Sequence, residues 1–71
     1  MQYTEWVKIR NAIRRDTCYI FICENIQYDI SRVTVNASIF GIIRNRVPHK
    51  GEKIRFHILN DAIVGFDRWN G

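Results

Sequence analysis

The sequence predicts an all-β fold, a small antiparallel β-barrel of five to six strands with a short N-terminal helix or arm. Three observations carry that expectation. From Thr17 onward, short β-branched and aromatic runs follow one another, separated by polar or glycine-containing breaks. Residues 53–59 (KIRFHIL) alternate apolar and polar side chains at the period of a half-buried strand. The chain has 71 residues, room for one domain and one core. A domain of that size buries only about 60% of its unfolded surface, and closing its sheet removes edges it could not otherwise protect. Residues 1–71 are therefore read as a single domain, with 1–16 a basic arm or helix and 17–67 the barrel.

Residues 4–15 leave two readings open. Trp6, Ile9 and Ile13 recur at helical spacing, and Thr4-Glu5 is a fair helix start. That gives an amphipathic helix of about three turns with those three residues facing the core; an extended arm is the alternative. Residues 17–23 (TCYIFIC) read as a strand buried on both faces. Glu24-Asn25 is a polar break, and residues 27–36 resume a strand whose apolar positions are Tyr28, Ile30, Val33 and Val35. Residues 39–44 are a third apolar run, and Gly41 within it marks a bulge or a close approach. Pro48, His49, Lys50 and Gly51 form a turn. In residues 53–59, Ile54, Phe56 and Ile58 point inward, Arg55 and His57 outward. Asn60-Asp61 then turns the chain into a last short strand at 62–66.

Eleven Lys and Arg against seven Asp and Glu leave a net charge of +4, most of it supplied by Arg. The planar fork of Arg matches phosphate bidentately, so the balance favours an anionic partner. Cys18 and Cys23 lie five apart on one strand, on opposite faces and about 16 Å from each other. They are expected to be reduced and structural, and with no CxxC motif no zinc site or other cofactor is expected. The first residues lack the basic and apolar regions of a signal peptide, and no apolar run nears the roughly 20 residues of a membrane span. A cytoplasmic location without membrane insertion is the expectation.

Nothing in the pattern supports catalysis: the acids are scattered, Ser31 and Ser38 lack a nucleophile-elbow setting, and there is no P-loop. Binding is better served. Arg10, Arg14 and Arg15 lie on a terminal segment that could fold over a ligand and grip phosphate or stack on a base. Asn36 and Ser38, two apart, would share one strand face and both reach that ligand, with Gly41 letting the backbone come close. The plain alternative is a polar turn between two strands and a solvated arginine face.

Arg14-Arg15, the run 19–23, the segment Arg32-Val33-Thr34-Val35-Asn36-Ala37-Ser38-Ile39-Phe40-Gly41 and residues 50–56 together resemble a PilZ domain. That family is a six-stranded β-barrel binding cyclic di-GMP, with an Arg-x-x-x-Arg segment before the barrel and an [Asp/Asn]-x-Ser-x-x-Gly element on it. Asn36, Ser38 and Gly41 match the second element, and Arg10 and Arg14 match the first in spacing. Four residues beyond Arg14 and Arg15 stand Cys18 and Tyr19, where the family pattern has Arg. The resemblance implies a non-catalytic regulatory module whose arm is ordered by a cyclic dinucleotide held by Arg10, Arg14, Arg15, Asn36 and Ser38. Residues 50–58 followed by 62–67 are also similar to the closing strands of TOBE domains, which are OB-like barrels. For that class, outward Arg55 and His57 with Tyr28 or Trp69 form a stacking and phosphate surface for single-stranded nucleic acid. A ligand-free protein-interaction module, with Trp6 or Trp69 in an apolar patch, is the third expectation.

Overall fold

The computed structural model describes residues 1–41 and 46–70. Its strands are β1 (Gln2–Tyr3), β2 (Val7–Arg14), β3 (Cys18–Glu24), β4 (Ile30–Asn36), β5 (Lys53–Leu59) and β6 (Ala62–Arg68). All pairings are antiparallel: β2, β3 and β4 form a meander, β5 returns to pair with β1 and β2, and β6 lies on the far side of β5. The sheet curls into a half-barrel whose end strands, β4 and β6, approach one another. The predicted all-β class and strand number hold.

The N-terminal segment is neither helix nor free arm, but a central strand. β1 and β2 run along the same side of β5 and are separated at Thr4, where side chain substitutes for backbone: the Thr4 amide donates to the Phe56 carbonyl, and the Phe56 amide donates to Thr4 Oγ1, both at 2.9 Å. The period of β2 is irregular for a specific reason. A bulge between Ile9 and Asn11 inserts a residue into β2, so Ile9 pairs with Cys23 but Ala12, three residues on, pairs with Phe21. Both then face the core, and the period-2 pattern acquires one step of three. Ile13 pairs with Ile20 on the opposite face, so Ile9 and Ile13 do not share a side.

β3 is buried on both sides, as its composition requires: Phe21 and Cys23 are fully buried in the core, and Ile20 on the outer face is only 6% exposed. Burial pushes the Cys23 thiol up to about 11, which keeps it protonated and inert. Both cysteines are free. β4 begins later than expected, because Asn25 Oδ1 accepts from the amides of Gln27 and Asp29 and holds residues 25–29 in a turn with Tyr28 at φ 64°. Val33 and Val35 pack inward, while Ile30 and Tyr28 are exposed. Asn60 and Asp61, at φ 50° and 63°, make the two-residue turn that suits the twist of a hairpin. β6 extends past its predicted end through Arg68.

The third apolar run is not a strand where it is described: Ala37–Phe40 is a single 3-10 turn, and residues 42–44 of that run lie outside the described residues. The turn swings Phe40 into the barrel, 2% exposed, edge-on to Tyr19 at 5.2 Å and near Phe66 at 5.7 Å. It joins Val7, Ile9, Phe21, Cys23, Val35, Ile54 and Phe56 in one apolar core.

Candidate functional site

The six residues singled out from the sequence fall into two groups. Asn36 closes β4 and caps the 3-10 turn, its Oδ1 accepting from the Ser38 amide at 2.9 Å. Gly41 closes the turn at the other end, donating to the Ser38 carbonyl from φ 63°, ψ −151°, a conformation that is essentially glycine's alone. Asn36 and Ser38 are therefore not neighbours on one strand face. The Asn-x-Ser-x-x-Gly spacing frames the turn that carries Phe40. Arg14 and Arg15 lie nearby, because the Ala37 amide donates to the Thr17 carbonyl and seats this turn against the β2–β3 connection. The Arg14 guanidinium stacks over the Tyr19 ring at 4.8 Å, and Arg15 is exposed. Arg10 sits at the bulge, four residues from Arg14, ion-paired with Glu24 at 3.5 Å.

A second constellation gathers on β1, β5, β6 and the segment before β2. Trp6 and Trp69 meet edge-to-face with centroids 5.0 Å apart. Cations cover both: Lys53 Nζ lies 4.4 Å from the Trp69 ring centroid, and Arg55 lies over Tyr3 and Trp6 at 4.5 and 5.0 Å. Strand pairing brings these distant residues together. The Trp69 amide donates to the Lys53 carbonyl, and the pairing of β2 with β5 places Trp6 beside Arg55. Arg55 is held on its other side by Asp67, Nε to Oδ2 at 2.9 Å. Arg68 reaches Glu52 at 2.8 Å.

Clefts open on both sides of Trp6. One, of about 510 Å³, is lined by Trp6, Trp69, Tyr28, Ile26, Lys8 and Lys53. The other, of about 780 Å³, is lined by Trp6, Arg46, Arg55, Phe66, Arg68 and Asn70. One side thus offers aromatic faces with ammonium groups, the other guanidinium groups. Tyr28 is 80% and Trp69 48% exposed, so both rings present area to solvent, with Lys53 lying on one face of Trp69. Of the residues the sequence offers for such a surface, Arg55, Tyr28 and Trp69 line these clefts and His57 lines neither. Tyr3 and Trp6 come beside Arg55 only through the β-pairing of the N-terminal segment with β5, and Lys53 comes beside Trp69 through the end of the β5–β6 hairpin.

His57 is half-buried instead of facing solvent. Its ring meets Tyr3 edge-on at 4.9 Å, and its Nε2 lies 2.9 Å from Asp67 Oδ2, an ion-pair length without hydrogen-bond alignment. His57 and then Arg55 hold the Asp67 carboxyl below the usual carboxylate range, outweighing the opposing effect of desolvation. A carboxyl with a depressed folded pKa contributes stability that is present above its unfolded value, about pH 4, and is lost as pH falls through the folded value. Asp67→Asn is expected to flatten the acid side of the stability profile. Urea midpoints taken from about pH 6 down to about pH 2.5 check this, and an acid slope equal to that of the unsubstituted protein contradicts it.

Searches of family models, curated proteins and solved structures return no match to this chain.

Proposed function

We propose that this domain is a small OB-like barrel that binds single-stranded nucleic acid across the Trp6–Trp69 surface. The observation that carries the reading is the edge-to-face tryptophan pair with Lys53 and Arg55 stacked on it and a cleft on either side. Bases stack on exposed aromatic rings at little cost in sequence selectivity, while flanking cations follow the phosphates. The strand order supports the same reading. A five-stranded, partly open Greek-key barrel presents one strand face to an oligonucleotide.

Titration with a short mixed-sequence DNA or RNA single strand, followed by tryptophan fluorescence, is the test. Quenching should saturate, and log K should fall with log salt at a slope of about −2 to −3, as expected when three or four cations neutralise phosphates of a single strand. No quenching at low salt removes the proposal.

A cyclic dinucleotide bound PilZ-fashion is the second reading. One observation favours it: the Asn36–Gly41 turn is tied to the β2–β3 connection, beside Arg14 and Arg15. Cyclic di-GMP belongs in the same titration series. Saturable binding abolished by Arg14→Ala and by Ser38→Ala moves the function to that end of the sheet.

A further inference from the structure

The cleft of about 510 Å³ on the Trp69 side of Trp6 carries more than aromatic and ammonium groups: Glu5, Glu24 and Asn25 line it too. Its volume lies in the range of pockets that take one small ligand. Two of these three polar side chains are already engaged. Glu24 is ion-paired with Arg10 at 3.5 Å, and Asn25 Oδ1 accepts from the amides of Gln27 and Asp29 in the turn that presents Tyr28. Glu5 differs. It is exposed, its main-chain carbonyl accepts from Thr4 Oγ1, and its carboxylate enters none of the ion pairs among the described residues. Lys8 and Lys53 line the same cleft, yet neither pairs with it; the Lys53 ammonium rests on the Trp69 ring instead. Where a polyanion binds, an unpaired carboxylate repels the phosphates and lowers affinity for every strand alike. A donor on the bases would offset that loss.

We propose, resting on the nucleic-acid reading above, that this cleft is a guanine-selective base site in which the base stacks against Tyr28 and Trp69 and Glu5 accepts from its Watson–Crick edge. Guanine alone among the common bases presents two neighbouring donors, N1–H and the 2-amino N–H, and these match the two oxygens of a carboxylate as a guanidinium fork does. Adenine and cytosine offer one amino group beside ring acceptors. Thymine and uracil offer a single N–H flanked by carbonyls that a carboxylate repels. Lys8 and Lys53, on the same cleft, supply donors for guanine's acceptors O6 and N7.

Glu5 gives a test in which base reading and plain repulsion have opposite signs. Tryptophan fluorescence of the full chain is titrated, at one low salt concentration, with a short oligothymidine and with the same strand carrying one central guanine, hypoxanthine or adenine. The guanine strand should bind about 5- to 30-fold more tightly than the plain one. Hypoxanthine, which lacks the 2-amino group, should lose most of that gain. Glu5→Gln should erase the guanine preference without lowering affinity for oligothymidine. Glu5→Asp keeps the charge but withdraws the carboxylate by one methylene, and should lose the preference as well. Position 5 is exposed, so both variants should keep the fold, with far-UV circular dichroism as the check. Equal affinity for all strands, or a Glu5→Gln variant that binds every strand more tightly by the same factor, overturns the guanine site and leaves the nucleic-acid surface standing. No quenching with any strand removes that surface and the site with it.

Discussion

Phe21→Ala is expected to cost about 3–5 kcal/mol and to leave the domain largely unfolded at 37 °C. Phe21 is fully buried at the middle of the sheet, and its ring lies 5.9 to 6.1 Å from those of Phe56 on β5, Phe40 in the 3-10 turn and Tyr19 two residues back on β3. Removing it empties the place where β3, β5 and the 3-10 turn meet. Stability of about 0.05–0.15 kcal/mol per residue gives a chain this short only several kcal/mol in total, so one such loss consumes most of it. Thermal unfolding by circular dichroism should show the midpoint falling by well over 10 °C. Phe21→Leu, which keeps most of the volume, should lose far less. A drop of only a few degrees for the alanine variant would show that the core does not depend on this ring.

The largest effect on binding is expected from Trp69→Ala. A stacked base contributes about 1–3 kcal/mol by alanine substitution, so affinity for a single-stranded oligonucleotide should fall roughly 5- to 150-fold. The substitution also frees Lys53 from the indole face, so the cation loses its fixed position beside the cleft. Trp69 is half exposed and belongs to no buried cluster, so the melting temperature should change little. Trp69→Phe keeps a stacking face and should recover part of the affinity. Arg15→Ala, at the other end of β2, should lower affinity only slightly. Equal losses for Trp69→Ala and Arg15→Ala would mean that net charge, not this surface, drives binding.

The barrel was legible wherever local chemistry and fold agree. The β3 run has no polar face to expose and so had to be central, and Asn60-Asp61 supplies the two positive-φ residues of a tight hairpin. β2 was obscured by a single inserted residue. The bulge at Arg10 moves the inward set from Ile9 to Ala12 and breaks the alternation, and Ile13, read with Ile9 as one helix face, lies on the other side of the sheet. Asn36 and Ser38 were read as a pair on a strand because nothing local announces that Asn36 turns its side chain back onto the Ser38 amide. The tryptophan surface was only half visible. Trp6 and Trp69 are at opposite ends of the chain, and their meeting depends on β5 lying between β2 and β6.

That same placement shapes how the chain acquires its structure. β2 is laid down early but can complete its hydrogen bonding only when β5 arrives, since Val7 pairs with Ile54 and Lys8 with Lys53. The hairpins β2–β3, β3–β4 and β5–β6 close locally and fast, on the order of microseconds. Joining the two halves means closing a long loop before any contact repays its entropy. Folding of this domain is therefore limited by one non-local docking event. Its rate belongs with the millisecond-to-second range of small β-barrels, well below the speed of its own hairpins.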